Sequence, residues 1–322
     1  MNSDYLLTSE STLSDDYLKI INPFWQQNVQ KREVSGVDNA ILHISSVIAP
    51  NSQGTVVLST GRTEGAIKYK ELFYNLFQNG FSVYAMDHRG QGQSQRLASN
   101  PNKGHVEDYQ DYVADLHKFM TQIVLTESQH KPLLLCHSMG GTIGALYNLA
   151  YPEQFAKVIY ASPMFKINAP IPVWLAKAVI ALDLLVNRIF SQQPWYFPGQ
   201  GDYQAEAFEN NAVTHSQTRF QLTNQDLGRV NALLGGITTQ WLSASLKAMQ
   251  TIDECAARLV QPTLMLQAGA DSVVGNAQQQ RICQKMPNCR LTTITGAKHE
   301  LLLEQDKYRQ QALREILHFF QP

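Results

Sequence analysis

The run Leu133-Leu134-Leu135-Cys136-His137-Ser138-Met139-Gly140-Gly141 sets a serine at a tight turn between three aliphatic residues and a helix-permissive segment, Thr142 to Ala150. Strand, sharp turn, serine and helix, in that order, expose a hydroxyl at the top of a parallel sheet, where it can act as a nucleophile. Gly140 lets the helix pack close to the strand. The full form of the turn is Gly-x-Ser-x-Gly. Here Cys136 stands where the first glycine belongs, so a Cβ has to be accommodated there. Taken alone, the same residues also suit a loop-to-helix junction with Ser138 as a helix cap.

A serine hydroxyl attacks well only when a base takes its proton and a carboxylate holds that base in the right tautomer. Partners in the chain order Ser, Asp or Glu, His follow downstream. Pro262 to Ala268 reads as a buried strand, with Gly269-Ala270-Asp271 leaving its carboxyl end. Arg290 to Thr295 reads as the next strand, with Gly296-Ala297-Lys298-His299-Glu300 leaving its end. Asp271 and His299 therefore stand just past strand ends, at the edge of an open α/β sheet where ligands bind. Singly, Asp271 also suits a turn or helix cap and His299 a helix entry; the three residues in this order argue for a nucleophile, an orienting acid and a base.

Acyl transfer places negative charge on the carbonyl oxygen, and preorganised backbone donors are needed to hold it. The residue after the nucleophile supplies one, the N–H of Met139. The loop after an early strand supplies the other. That strand is Thr55 to Ser59 and the loop Thr60-Gly61-Arg62-Thr63-Glu64-Gly65, in which Gly61 lets the Arg62 N–H turn inward.

These residues need a sheet to hold them. Lys31 to Ser35 and Ala40 to Ile48 read as two early strands, Phe81 to Met86 and Val158 to Ala161 as further buried strands, and Ile67 to Gln78 and Val106 to Val124 as amphipathic helices whose stripes pack the core. Strands alternating with helices imply an α/β fold with a mostly parallel sheet and helices on both faces. From about Pro163 to Met249 the rhythm breaks. Pro170-Ile171-Pro172 precedes a helix, Val173 to Val186, that is apolar on nearly every side, and an irregular aromatic loop, Ser191 to Gly199, follows. The organisation expected is a core over 1–162, a helical cap over 163–249 covering Ser138, and a second part of the core over 250–322. Such a cap helix suits an acyl-chain channel and an outer face that docks on lipid, although any one residue such as Trp174 also suits simple packing.

With 322 residues, 44% of them hydrophobic, the chain can bury a large core, and a net charge of −1 gives no reason to expect a nucleic-acid partner. Cys136, Cys255, Cys283 and Cys289 show no Cys-x-x-Cys spacing, so neither a disulfide framework nor a zinc site is expected, and a reducing compartment fits. The first residues lack a basic region and a continuous apolar core, so no secretory signal is read there, and the polar, acidic stretch through Asp16 is expected to be loosely ordered. No run of 18 or more apolar residues suggests a membrane span. No metal or organic cofactor is called for.

Asp87-His88-Arg89-Gly90-Gln91-Gly92-Gln93-Ser94 resembles the Asp-His-Arg-Gly-x-Gly-x-Ser loop of the monoacylglycerol lipase-like (serine aminopeptidase-type) α/β-hydrolases. The likeness runs on through Gly104-His105-Val106, Asp111 to Leu116, His137 to Gly141, Ser162-Pro163-Met164-Phe165 and Gly296 to Leu301, covering the chain from about Phe24. The glycines do not continue into Gly-Lys-Ser or Gly-Lys-Thr, which argues against a phosphate loop. The resemblance implies an α/β-hydrolase fold and a serine carboxylic-ester hydrolase. Shared Phe24-Trp25, Gly61-Arg62 and Val213-Thr214-His215-Ser216 tilt it toward the bacterial lysophospholipases within that family, which implies a lysophospholipid or monoacylglycerol substrate, a cytoplasmic setting and peripheral association with the inner membrane. Other readings remain open: a monoacylglycerol lipase or general carboxylesterase, a proline iminopeptidase-type peptidase using Glu206 or Glu209 to bind a free amino terminus, or a non-enzymatic lipid-binding scaffold. A dehalogenase would need an aspartate where Ser138 stands. Arg188, Arg219 and Arg229 are candidate phosphate contacts but read more simply as surface charges.

Overall fold

The computed structural model describes residues 5–168 and 172–321, without the side chain of residue 173. The first four residues, and Pro170-Ile171 of the expected cap entry, lie outside the described residues. Helix α1 (Glu10–Asp16) opens on the Ser9 cap, passes through a π turn (Tyr17–Ile21) and leads into α2 (Asn22–Asn28). This corrects the expectation of loose order before Asp16. Leu13, Tyr17 and Ile21 recur every four residues, which puts them on one helical face, and they are buried as a small cluster of their own.

Strands β1 (Gln30–Ser35), β2 (Ile41–Val47) and β3 (Gly54–Ser59) follow, then α3 (Lys70–Gln78), β4 (Phe81–Met86), α4 (Tyr109–Phe119), a π turn (Met120–Val124) and the short α5 (Leu125–Glu127). The helix expected from Val106 starts at Tyr109 because Asp108 caps it, accepting a hydrogen bond from the Gln110 N–H at 2.9 Å. Next come β5 (Leu133–His137), α6 (Met139–Ala150), β6 (Lys157–Ala161), α7 (Val173–Phe190), α8 (Gln217–Arg229), α9 (Thr239–Cys255), β7 (Thr263–Ala268), α10 (Asn276–Lys285), β8 (Cys289–Ile294) and α11 (Asp306–Phe320).

The eight strands form one sheet in the order β1-β2-β4-β3-β5-β6-β7-β8. The β1–β2 and β2–β4 pairs are antiparallel and the remaining pairs parallel. Central strands β3, β4, β5 and β7 are buried along their whole length, as a sheet covered on both faces requires, whereas edge strands β1 and β8 are half-exposed. Alternate residues feed two cores. Val57, Leu134, Cys136 and Met265 join one, and Val56, Leu58, Leu133 and Leu135 join the other on the opposite face. The registers Ser59↔Cys136, His137↔Ala161, Ala161↔Leu266 and Ala268↔Ile294 align the carboxyl ends of β3, β5, β6, β7 and β8 along one edge.

Of the segment between β6 and β7, α9 enters the core through Trp241, Ala248, Met249 and Ile252. Helix α8 is fixed by Arg219, which corrects its reading as a surface charge: the guanidinium is buried and bonded to Glu71 at 2.9 Å and Asp306 at 2.8 Å. Helix α7 differs. Ala176 and Ile180 are buried, but Trp174, Leu182, Leu185, Ile189 and Phe190 are exposed.

The cysteine reading also needs correction. Cys283 and Cys289 form a disulfide, with Cα atoms 5.4 Å apart, while Cys136 and Cys255 are free. The end of α10 turns directly into β8, so a six-residue separation closes to bonding range. No helix of the described residues is long and apolar enough to cross a membrane.

Candidate active site

Ser138 occupies the turn between β5 and α6 with φ 50° and ψ −116°, a strained conformation for a residue with a Cβ. A side chain at Gly140 would overlap the Ser59 carbonyl, so α6 reaches the end of β3 only because that position is glycine. The tolerance of Cys136 has a physical cause that the motif alone did not show. A Cβ on Gly144 would come 2.5 Å from Cys136 Sγ, so the missing side chain one turn into α6 makes room for the cysteine. In sequence terms, a second small residue in that helix was the available signal.

The structure brings Ser138, His299 and Asp271 together from three loops. His299 Nε2 lies 2.9 Å from Ser138 Oγ, and His299 Nδ1 lies 2.7 Å from Asp271 Oδ2. The other carboxylate oxygen of Asp271 accepts the backbone N–H groups of Val273 at 2.8 Å and Val274 at 3.1 Å, which fixes the plane of the acid. All three side chains are shielded from solvent. A hydroxyl, an imidazole and a carboxylate in this sequence of hydrogen bonds can pass a proton from serine to histidine while the acid stabilises the resulting imidazolium.

Beside them stands the loop after β3. The Gly61 N–H donates to the Glu64 carboxylate, and the Thr63 N–H donates to Gln91 Oε1 at 2.7 Å. Between these two engaged amides, the Arg62 N–H has no acceptor among the described residues. Met139 opens α6, so its N–H lacks an intrahelical partner as well. Arg62 lines the same cavity as Ser138, and Met139 follows it in the chain, so two amides without acceptors are available to an oxyanion formed there.

Sequence reasoning missed the side chains that hold this loop. Glu64 lies at the centre of a buried set: Tyr69 donates to it at 2.6 Å, Lys68 at 2.9 Å, and His137 Nδ1 is 3.1 Å away. Lys68 also donates to Glu300, the neighbour of His299, at 2.6 Å, so the oxyanion-side loop and the histidine loop share one charged bridge. Burial alone would raise the Glu64 pKa, but Lys68 and His137 outweigh it and hold the carboxyl well below its usual range. Burial likewise opposes charge on His137, yet Glu64 raises its pKa. The Asp87-to-Ser94 loop has the same positioning role. Asp87 accepts from the N–H groups of Ala66 and Gln93, both at 2.7 Å, and Gln91 orients Thr63.

His88 of that loop is 3.0 Å from Ser59 Oγ through Nε2, with Nδ1 unpartnered, and burial brings its pKa down to about 4. The folded-state value lies below the unfolded value, so the unfolded chain takes up the proton first as the pH falls. The stability this neutral histidine allows is complete above about pH 6.5 and is lost toward pH 4. Between pH 7 and pH 5 the loss is expected to be about 2 kcal/mol. Urea denaturation of wild type and His88→Gln at both pH values checks it. An equal pH dependence in the two proteins would show that His88 is not the group responsible.

A cavity of about 250 Å³ opens over Ser138 and His299, with Met164, Ile167, Ile237, Trp241, Val273 and Val274 among its walls. A second, polar chamber of about 410 Å³ adjoins it, lined by the 200–206 loop and by Phe220, Thr223 and Asn224 of α8. Among the described residues no cluster of three or more His, Cys, Asp or Glu side chains is placed to hold a metal ion.

Comparison with known proteins agrees with this architecture. Residues 50–306 match the family described as "Serine aminopeptidase, S33". The chain is 33% identical over 321 residues to lysophospholipase L2 of Escherichia coli (strain K12), an alignment covering 97% of this chain and 93% of the relative. It is 26% identical over 268 residues to a monoglyceride lipase homolog of monkeypox virus, covering 81% and 87% of the two chains. Among solved structures, the monoacylglycerol lipase of Paleococcus ferrophilus superposes with a TM-score of 0.68 at 20% identity, covering 87% of this chain and 98% of that one, a likeness of fold.

Proposed function

The chain belongs to the serine aminopeptidase S33 family, and from that premise we propose that it is a lipid ester hydrolase that releases fatty acid from lysophospholipids through Ser138, His299 and Asp271. The observation that carries the reading is the unbroken hydrogen-bond line from Ser138 Oγ through His299 to Asp271 at the floor of an apolar cavity. His299 removes the Ser138 proton as Oγ attacks the ester carbonyl, and Asp271 stabilises the imidazolium. The Arg62 and Met139 amides receive the oxyanion. His299 then protonates the departing alcohol, and a water activated by the same histidine hydrolyses the acyl-enzyme. No step draws on a metal or an organic cofactor.

The substrate side of the proposal rests on the relatives named lysophospholipase and monoglyceride lipase and on the two chambers, an apolar one over the serine and a polar one that adjoins it at Arg62 and Thr63. The test is fatty-acid release by the purified protein from lysophosphatidylethanolamine, a monoacylglycerol and an amino-terminal proline amide. Faster turnover of the lysophospholipid is expected. Preference for the glycerol ester would keep the chemistry and move the substrate to monoacylglycerol. Cleavage of the amide alone would overturn the lipid reading in favour of the peptidase, for which Glu206 is the available carboxylate.

Helix α7 supports peripheral association with a lipid surface. At 100° per residue, exposed Trp174, Leu175, Leu182, Leu185 and Ile189 fall within an arc of about 100°, opposite buried Ala176 and Ile180. Such a face buries into the headgroup region without spanning it. Replacing Leu182 and Leu185 together by glutamate is expected to lower co-sedimentation with phosphatidylethanolamine–phosphatidylglycerol vesicles by at least about tenfold. Turnover of a short soluble ester serves as the folding control. Unchanged sedimentation would remove α7 from this role.

A further inference from the structure

The polar chamber shares Arg62, Thr63, Gln200, Val213 and Glu300 with the cavity over Ser138, so the two are continuous at the oxyanion-side loop. Its charged lining is Arg62, Lys68, Asp202, Glu206 and Glu300. Three of these are satisfied within the protein. Lys68 and Glu300 pair with each other, Lys68 also with Glu64, and Asp202 accepts hydrogen bonds from Asn100 and Tyr196.

Two are not. The half-buried Arg62 guanidinium donates to the Gly235 carbonyl at 2.9 Å and has no carboxylate partner among the described residues. Burial lowers its pKa, so an anion arriving there would relieve an unfavourable charge. Glu206, exposed to solvent on the chamber's rim, forms neither a hydrogen bond nor an ion pair among the described residues and lines the polar chamber but not the cavity over Ser138. Tyr203 and Phe220 line the same chamber.

The order of these groups matters. Outward from Ser138 there is first an unpaired cation where the chambers meet, then an unpaired carboxylate in the polar chamber. A lysophospholipid with an ethanolamine-type head presents, outward from its ester, a phosphate and then an ammonium. A volume of about 410 Å³ lies within the range of small-ligand pockets.

We propose that the polar chamber is the head-group site, in which the Arg62 side chain takes the phosphate and Glu206 the terminal ammonium of a zwitterionic lysophospholipid. This rests on the lipid ester reading above and adds a charge-reading function to a residue whose backbone faces the oxyanion.

The test uses ratios of kcat/KM, so that a general loss of activity cancels. Lysophosphatidylethanolamine, lysophosphatidylglycerol and a monoacylglycerol of the same acyl chain are compared. The first two share a phosphate, and only the first carries an ammonium. Glu206→Gln is expected to reduce the preference for the ethanolamine over the glycerol head about fivefold. Arg62→Gln is expected to reduce the preference for lysophosphatidylglycerol over monoacylglycerol about tenfold. If each substitution moves all three substrates equally, the chamber does not read head-group charge and the proposal falls, with ester hydrolysis untouched. Calorimetric titration with sn-glycero-3-phosphoethanolamine separates the remaining cases. Saturable binding that Glu206→Gln and Arg62→Gln each weaken supports the site even if no lipid is hydrolysed, and absence of binding together with unchanged ratios overturns it. Turnover of the proline amide that Glu206→Gln alone suppresses would assign the carboxylate to a peptide amino terminus and equally overturn it.

Discussion

Ser138→Ala is expected to lower fatty-acid release by about 10⁴-fold or more while the fold persists. The substitution removes one oxygen, Oγ, and with it the atom that would carry the acyl group. His299 keeps its bond to Asp271 and loses only the 2.9 Å contact through Nε2, so the cost to stability should stay near about 1 kcal/mol. The strained turn is held by Gly140 under the Ser59 carbonyl and by backbone bonds from Ser138 N–H to Ala161 and from Gly141 N–H to the Ser138 carbonyl. An alanine Cβ meets the same geometry as the serine Cβ. The measurement pairs turnover with the thermal midpoint and with labelling by a fluorophosphonate probe. Activity retained in a folded, unlabelled variant would take Ser138 out of the reaction.

Asp271→Asn is expected to lower kcat by about 10⁴-fold with little effect on KM. The argument is one of proton placement. Oδ1 of Asp271 accepts two backbone N–H groups, from Val273 and Val274. In the variant the amide oxygen keeps those bonds, which directs the NH₂ toward His299 Nδ1. That ring nitrogen must then accept, so the proton moves to Nε2, where it faces Ser138. The imidazole can no longer take the serine proton, although shape and charge around the substrate barely change. A variant with near-normal kcat would show that another group orients His299; a large KM effect would point to distortion of the cavity instead.

Much of this was legible in the sequence because the fold is built from local signals. Buried aliphatic strands ending in Ser138, Asp271 and the Gly296-to-His299 turn announce a parallel sheet and mark its carboxyl edge, and every strand read from the sequence is a strand in the structure to within a residue or two. The misreadings have a common origin. Arg219, the stretch before Asp16 and the Cys283–Cys289 pair all looked like polar surface or isolated thiols. Each takes its meaning from a partner distant in sequence or brought near by a chain reversal, and local composition carries no information about that partner.

The sequence by itself determined which residues could do chemistry and in what order along the chain they would meet the edge of the sheet. It did so because nucleophile turn, acid and base each require a residue type and a strand end, both local properties. Only the tertiary structure decided how the loop after β3 is held. Glu64 joins Lys68, Tyr69 and His137 below it, Gln91 takes Thr63, and Arg62 is left with a free amide and an unpaired guanidinium. Which charges end up paired and which remain open to a ligand depends on distances between loops from different strands, and those distances exist only once the sheet has formed.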